Sequence, residues 1–131
     1  GGRVADEKET WVVVRRVLDG NTVELDRPDP TKTYRYQRLT LENVETLSVS
    51  DKDSHVRAKA RDGVRWLKDR LVGHRFVLSG TLETGKGNEL HATLMLPPPP
   101  AKEGTIPDPW WDVRDDLVKQ GFAIPSGHAK K

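Results

Sequence analysis

Cysteine is absent from the 131-residue chain. That excludes disulfides, thiolate zinc sites and a cysteine nucleophile, and it fits a reducing, intracellular compartment. No apolar run approaches the roughly 20 residues that a membrane span needs, so no membrane partner is expected. Net charge is nearly absent too: 22 Lys and Arg stand against 20 Asp and Glu, leaving +2. Apolar residues make up only 34%, but the balanced charge separates this chain from a disordered one. The four histidines, His55, His74, His91 and His128, lack metal-ligand spacing. There is no Walker loop, no GxGxxG and no Ser–His–Asp pattern. Gly85-Lys86-Gly87 is a hairpin turn and no phosphate loop, because no helix follows it. The chain opens on Gly1-Gly2 without an initiator Met or a signal-peptide pattern; the two glycines read as a scar, which leaves open whether a native targeting segment was trimmed.

What is present patterns as one domain with a modest core. Residues 1–9 are polar and expected to be flexible, the domain covers 10–124, and 125–131 form a tail. The run WVVVRRV at 11–17 is β-branched and aromatic, a good strand. Asp19-Gly20-Asn21-Thr22 has turn chemistry, with Gly20 expected to accept left-handed geometry. Residues 22–25 return as a second strand, 26–31 form a turn with Pro28 and Pro30, and 33–41 make a third strand. Over 53–72 the period changes. Val56, Ala60, Val64, Leu67 and Leu71 recur at three and four, one face of a helix capped by Asp53 or Ser54 and ended by Gly73. Gly63 inside that helix costs about 1 kcal/mol against Ala, which marks a place of close packing. Strands at 75–82 and 89–96 flank a Gly-rich hairpin turn at 83–88. Pro97 to Pro100 stop the last of them, a Pro-rich loop runs over 97–109, and a C-terminal helix is expected over 110–120. This order predicts a mainly β fold with helices (α+β). It is a five-stranded OB-fold barrel with a helix after strand three and a C-terminal helix. Such barrels often bind oligonucleotides on one face, though fold alone does not decide function.

Four stretches stand in a telling order: VLDGNTVEL (17–25), RLTLENVET (38–46), the helix from Asp53, and LVKQGFAI (117–124). Together they resemble the staphylococcal-nuclease-like family over about residues 11–124. That family carries a D-G-D-T turn, a strand reading R-L-x-G-[IV]-D-x-P-E, a later G-R step and a terminal L-V-x-x-G-[LF]-A. The resemblance implies Ca²⁺-dependent phosphodiester hydrolysis. Two Asp and a backbone carbonyl would hold the ion, a Glu would orient the attacking water, and two Arg would clamp the phosphate.

Carried over by position, the first ligand is Asp19, but the second falls on Asn21, an amide with one oxygen and no charge. Glu45 matches the family's Glu, with Val44 where the pattern has Pro. Counting without a gap puts the clamp Arg on Gln37. That register would bury Arg38 and Thr40 and expose Leu39 and Leu41, against strand alternation. A loop shorter by one residue puts the clamp on Arg38. The remaining calcium Asp then lands on Asn43, with Glu42 as the other candidate. The G-R step aligns with Gly87-Asn88, so the second clamp Arg is missing, and Lys86 is out of register. Loss of one catalytic donor commonly costs about 10²–10³ in rate. With these departures the resemblance implies a fold kept and a chemistry lost. Arg38 and Glu45 are vestigial catalytic positions; Asp19, Asn21, Glu42 and Asn43 are vestigial metal positions that would bind Ca²⁺ weakly at most. No cofactor is otherwise expected. Degenerate members of the family occur in multidomain Tudor–staphylococcal-nuclease proteins, where they bind RNA or proteins. The expected function is therefore a non-catalytic module for RNA or single-stranded nucleic acid, protein partners, or both, within an RNA-processing assembly. The alternatives are a Ca²⁺-dependent nuclease with altered ligands and a pure protein-interaction domain.

The residues offer binding chemistry of their own. Arg57, Arg61 and Arg65 lie four apart and Lys68 continues the row, a basic stripe on one helix face. With Arg15, Arg16, Arg35 and Lys59 it can track a phosphate backbone, or serve as a solubilising face offset by Asp62 and Asp69. Tyr34 and Tyr36 share one face of the third strand and either stack bases or cover the barrel. Of Trp110 and Trp111, one is expected to staple the C-terminal helix and the other to anchor a protein interface.

Overall fold

The computed structural model describes residues 9–29, 36–84 (backbone only over 81–84) and 89–126. Tyr34, Arg35, Lys86, Gly87, Asn88 and the two chain ends, 1–8 and 127–131, lie outside the described residues. The elements are β1 (Thr10–Asp19), β2 (Thr22–Pro28), β3 (Tyr36–Leu41), β4 (Val44–Thr46), α1 (Ser54–Leu71), β5 (Arg75–Thr84), β6 (Leu90–Leu96), β7 (Trp111–Asp112), α2 (Val113–Lys119) and β8 (Ala123–Pro125). Antiparallel neighbours run β3-β2-β1-β5-β6, and β3 then pairs in parallel with β6, Leu39 against Leu90 and Leu41 against Ala92. This closes a five-stranded, OB-like barrel, as expected. The helix α1 follows the third barrel strand, with the short β4 between them pairing outside the barrel with β8.

Strand alternation fills the barrel. Val12, Val14 and Val17 of β1, Val23 and Leu25 of β2, Leu39 and Leu41 of β3, and Leu94 and Phe76 are buried in one core. On β3, Gln37, Leu39 and Leu41 point in while Tyr36 and Arg38 are exposed. That is the register that favours Arg38 over Gln37 as the outward residue. In β1 the register slips by one between Val14 and Arg16. The bulge lets Val14 and Val17 both face inward and sends Arg15 and Arg16 out side by side.

Asp53 caps α1, accepting from the backbone N of His55 at 2.8 Å and of Val56 at 3.3 Å. The helix buries Ala60, Gly63, Leu67 and Leu71. Its end is tied to the barrel by Gly73 N donating to Val14 O at 2.9 Å and Val14 N donating to His74 O at 3.2 Å. Gly63 does mark close packing: a Cβ there would lie 3.2 Å from three Phe122 atoms.

Several boundaries differ from the sequence expectation. The turn expected from residue 26 begins later, because β2 continues to Pro28, opposite Tyr36; a strand end can dispense with the N–H that proline lacks. Residues 110–112 are not helical. Trp111 and Asp112 pair with Leu96 and Met95 of β6, and α2 starts only after Asp112, whose carboxylate accepts from Arg114 N at 2.9 Å. The chain stays paired past residue 124, with Pro125 opposite Val44 and Ser126 N donating to Asn43 O. Gly20 is not left-handed; Asn43 is, at φ 63°. Gly20 is needed for space, since a Cβ there would sit 2.9 Å from Thr46 Oγ1.

Among the described residues, one buried side-chain group lacks a partner. Gln37 is 4% exposed, and its Oε1 accepts no hydrogen bond. An unsatisfied buried acceptor costs about 1–3 kcal/mol. Gln37→Leu is expected to stabilise the fold by about 1 kcal/mol, read as a higher urea midpoint at unchanged slope. A lower midpoint would show that the amide is satisfied in solution.

Candidate functional site

Of the positions aligned with the nuclease pattern, Asp19, Asn21, Glu42, Asn43 and Glu45 lie on turns and strand ends that meet at one end of the barrel. Gly20 and Asn21 form the turn between β1 and β2, and Glu42 and Asn43 the turn between β3 and β4. Leu41 N donates to Asn21 O at 2.8 Å, and Gly20 abuts Thr46, so the two turns and β4 meet. The side chains do not converge in the same way. Asp19 Oδ1 accepts from Gly20 N at 2.7 Å. Asn21 Oδ1 accepts from the Thr22 hydroxyl at 3.1 Å. Glu42 turns onto β5, where its Oε1 occupies the space that a Cβ of Gly80 would take. Glu45 is exposed on β4, opposite Ile124. Among the described residues, no three His, Cys, Asp or Glu side chains lie together so as to hold a metal. Ca²⁺ wants six to eight oxygens, and these residues do not fit it.

A different cluster stands on the outer face of β1, β2 and β3. Glu24 faces outward between Val23 and Leu25, yet it is only 6% exposed. It is covered by the two arginines of the bulge. Arg15 Nη1 donates to Glu24 Oε1 at 3.0 Å, and Arg16 donates through Nε to Oε1 at 3.0 Å and through Nη2 to Oε2 at 3.3 Å. The Arg15 guanidinium lies 4.2 Å over the Tyr36 ring. Arg38 is opposite Glu24 across the β2–β3 ladder, exposed, and without a hydrogen bond or ion pair among the described residues. Next along the face, Thr40 donates to Glu89 Oε2 at 3.1 Å, with the Thr22 hydroxyl 3.5 Å away. Two guanidiniums thus cover one carboxylate, with Arg38 opposite on the neighbouring strand. Each guanidinium has five N–H donors, of which Glu24 takes one from Arg15 and two from Arg16.

The helix stripe is less uniform than its spacing suggests. Arg57 Nη1 donates to the carbonyls of Asp51 at 2.8 Å and Lys52 at 3.0 Å, so it braces the loop before α1. Arg61, Arg65 and Lys68 are exposed and have no partner among the described residues. At the C-terminal end, Trp111 is the staple. Its indole N–H donates to Asp116 Oδ2 at 3.0 Å, and its ring packs 5.7 Å from Phe76 under the Arg70 guanidinium. Trp110 is half-buried at the mouth of a cleft beside α2.

Two groups escaped the sequence reading. Glu24 was legible in principle, as the acidic residue on the outward face of an otherwise apolar strand. Asp112 and Arg114 were not, because Thr93 and Glu42, the residues the pair ties to, are distant in the chain. Asp112, 7% exposed, accepts from the Thr93 hydroxyl at 2.8 Å and from Arg114 Nη2 at 2.8 Å, while Arg114 Nη1 donates to Glu42 O at 3.2 Å. Burial alone would lower the Arg114 pKa. The hydrogen bond and charge of Asp112, aided by Glu42 and Asp115, hold it above the ordinary arginine value.

A comparison with protein families and with curated proteins finds no match for the chain.

The Asp112–Arg114 pair ties β6, α2 and the β3–β4 turn together. Removing one partner of a buried pair leaves the other uncompensated, so Asp112→Ala is expected to lower stability by about 3 kcal/mol in urea unfolding. Asp112→Asn keeps the helix cap and the Thr93 hydrogen bond and is expected to lose less. Equal losses would show that the charge alone matters.

Proposed function

We propose that this domain is a non-catalytic, degenerate staphylococcal-nuclease-like module that binds single-stranded nucleic acid on the outer face of β1, β2 and β3. The carrying observation is the cluster of Arg15 and Arg16 held on buried Glu24, beside Tyr36 and Arg38. Arginine forks match phosphate oxygens, and a guanidinium already braced from below loses little freedom on binding. Tyr36, 40% exposed, offers the ring edge and the face away from Arg15 to a base. The face also coincides with the second and third strands and the first turn, where OB barrels commonly take oligonucleotides. RNA is favoured over DNA through the family resemblance alone.

The non-catalytic part rests on the rim. Asn21 supplies no charge and its amide oxygen is engaged, and Glu42 is turned onto Gly80; in the sequence, Asn88 aligns with the second clamp position. The arrangement favours holding a strand over cutting it.

Fluorescence anisotropy of a labelled 12-nucleotide single-stranded RNA, run at several salt concentrations, tests the face. The Arg15→Ala/Arg16→Ala/Arg38→Ala variant is expected to bind at least ten-fold more weakly. The log–log salt slope should fall by about 0.7 for each phosphate that the variant no longer neutralises. Unchanged affinity in that variant, at an unchanged melting temperature, would remove this face from the interface. Incubation of RNA and single-stranded DNA with Ca²⁺ or with EGTA is expected to leave both intact. Chelator-sensitive cleavage that Glu45→Gln abolishes would overturn the non-catalytic reading.

A further inference from the structure

A second surface carries the opposite chemistry. Where the Pro-rich loop meets α2, an open cleft of about 360 Å³ is walled by Pro109, Trp110 and Trp111 and edged by Asp108, Asp115 and Asp116. Asp112 borders it as well, but its charge is met by Arg114 at 2.8 Å. Lys119 is the one further cation in this lining. Asp108 and Asp115 are exposed, so their charge is available at the mouth.

The walls are stiff. Trp111 is held by its bond to Asp116 and by Phe76, and one face of its ring already carries the Arg70 guanidinium at 4.3 Å. An indole at this place therefore accepts a planar cation.

Three properties choose the occupant. Indole walls with carboxylate edges repel phosphate and favour a cation, which gains both the ring quadrupole and the counter-charge. A metal ion is not that cation, because the described carboxylates are not gathered into a group of three that could hold one. The volume lies at the small end of ligand clefts and suits one long side chain. Between the two long cationic side chains, the arginine plane stacks on an indole and its fork meets a carboxylate, whereas a lysine ammonium does neither as well.

We propose that this cleft receives an arginine side chain from a basic segment of a partner protein, its guanidinium stacked on Trp110 and paired with Asp108 and Asp115. The site is separate from the β1–β2–β3 face, and the inference stands whether or not that face binds nucleic acid.

The test uses the full chain and three capped pentapeptides, Gly-Gly-Xaa-Gly-Gly, with Xaa as arginine, lysine or citrulline. Binding is followed by tryptophan fluorescence and by the indole N–H resonances in two-dimensional NMR. The arginine peptide is expected to shift the Trp110 indole signal saturably and to bind at least five-fold more tightly than the lysine peptide. The citrulline peptide, similar in shape but uncharged, is expected to give no shift. Trp110→Ala and the Asp108→Asn/Asp115→Asn double variant should each weaken binding five-fold or more. If Trp110→Ala proves unstable, the exposed aspartate pair decides, with an unchanged melting temperature as its control. Absence of saturable binding, equal affinity for lysine or citrulline, or full binding by the aspartate double variant would each overturn the proposal.

Discussion

The parallel pairing of β3 with β6 closes the barrel, and the positions of the outer residues follow from that closure. A closed barrel has no free edge and an interior that side chains must fill. Val14, Val23, Leu25, Leu39, Leu94 and Phe76 fill it, all fully buried. With Leu39 and Leu41 committed inward, Tyr36, Arg38 and Thr40 have to face out. The same holds on β2, where Val23 and Leu25 inside leave Thr22 and Glu24 outside. The polar face thus arises from the apolar demand within.

The bulge in β1 extends this logic. Without it, one of the adjacent arginines would enter the core. With it, Val14 and Val17 both stay inside, and Arg15 and Arg16 share one buried carboxylate. Glu24 offsets part of their charge and fixes their direction. The cost of burying a carboxylate is met by three hydrogen bonds from two guanidiniums. A similar economy operates where segments approach one another closely. Thr46 approaches at Gly20, Phe122 at Gly63 and Glu42 at Gly80, in each case through the space of a missing side chain.

Backbone and side chains part company at the rim. The turns around Asn21 and Asn43 are brought close by backbone hydrogen bonds, a frame that would suit a shared ligand. The acids on it are spent elsewhere: Asp19 on its own turn, and Glu42 against Gly80 and in the field of Arg114. Negative charge collects instead beside α2, next to two indoles, while positive charge stands on the bulge face. The two surfaces invite partners of opposite sign.

Periodicity made the strands, the α1 face and the Asp53 cap legible, because each is a local pattern in which burial repeats every two residues or every three to four. The outward place of Arg38 followed from the same rule. Boundaries were less legible. Nothing local at Trp111 and Asp112 announces a strand, since their pairing depends on Met95 and Leu96 across the Pro-rich loop. By itself, then, the chain determined its barrel order and its inward set, and that position 21 carries an uncharged amide. Only the tertiary structure decided that Glu24 lies beneath two arginines, that Arg57 is spent on a loop, that Asp112 joins three elements, and that Trp111 is packed at the wall of an acidic cleft. Those outcomes depend on which side chains meet across a loop, a hairpin or the barrel, and a one-dimensional pattern carries no such distances.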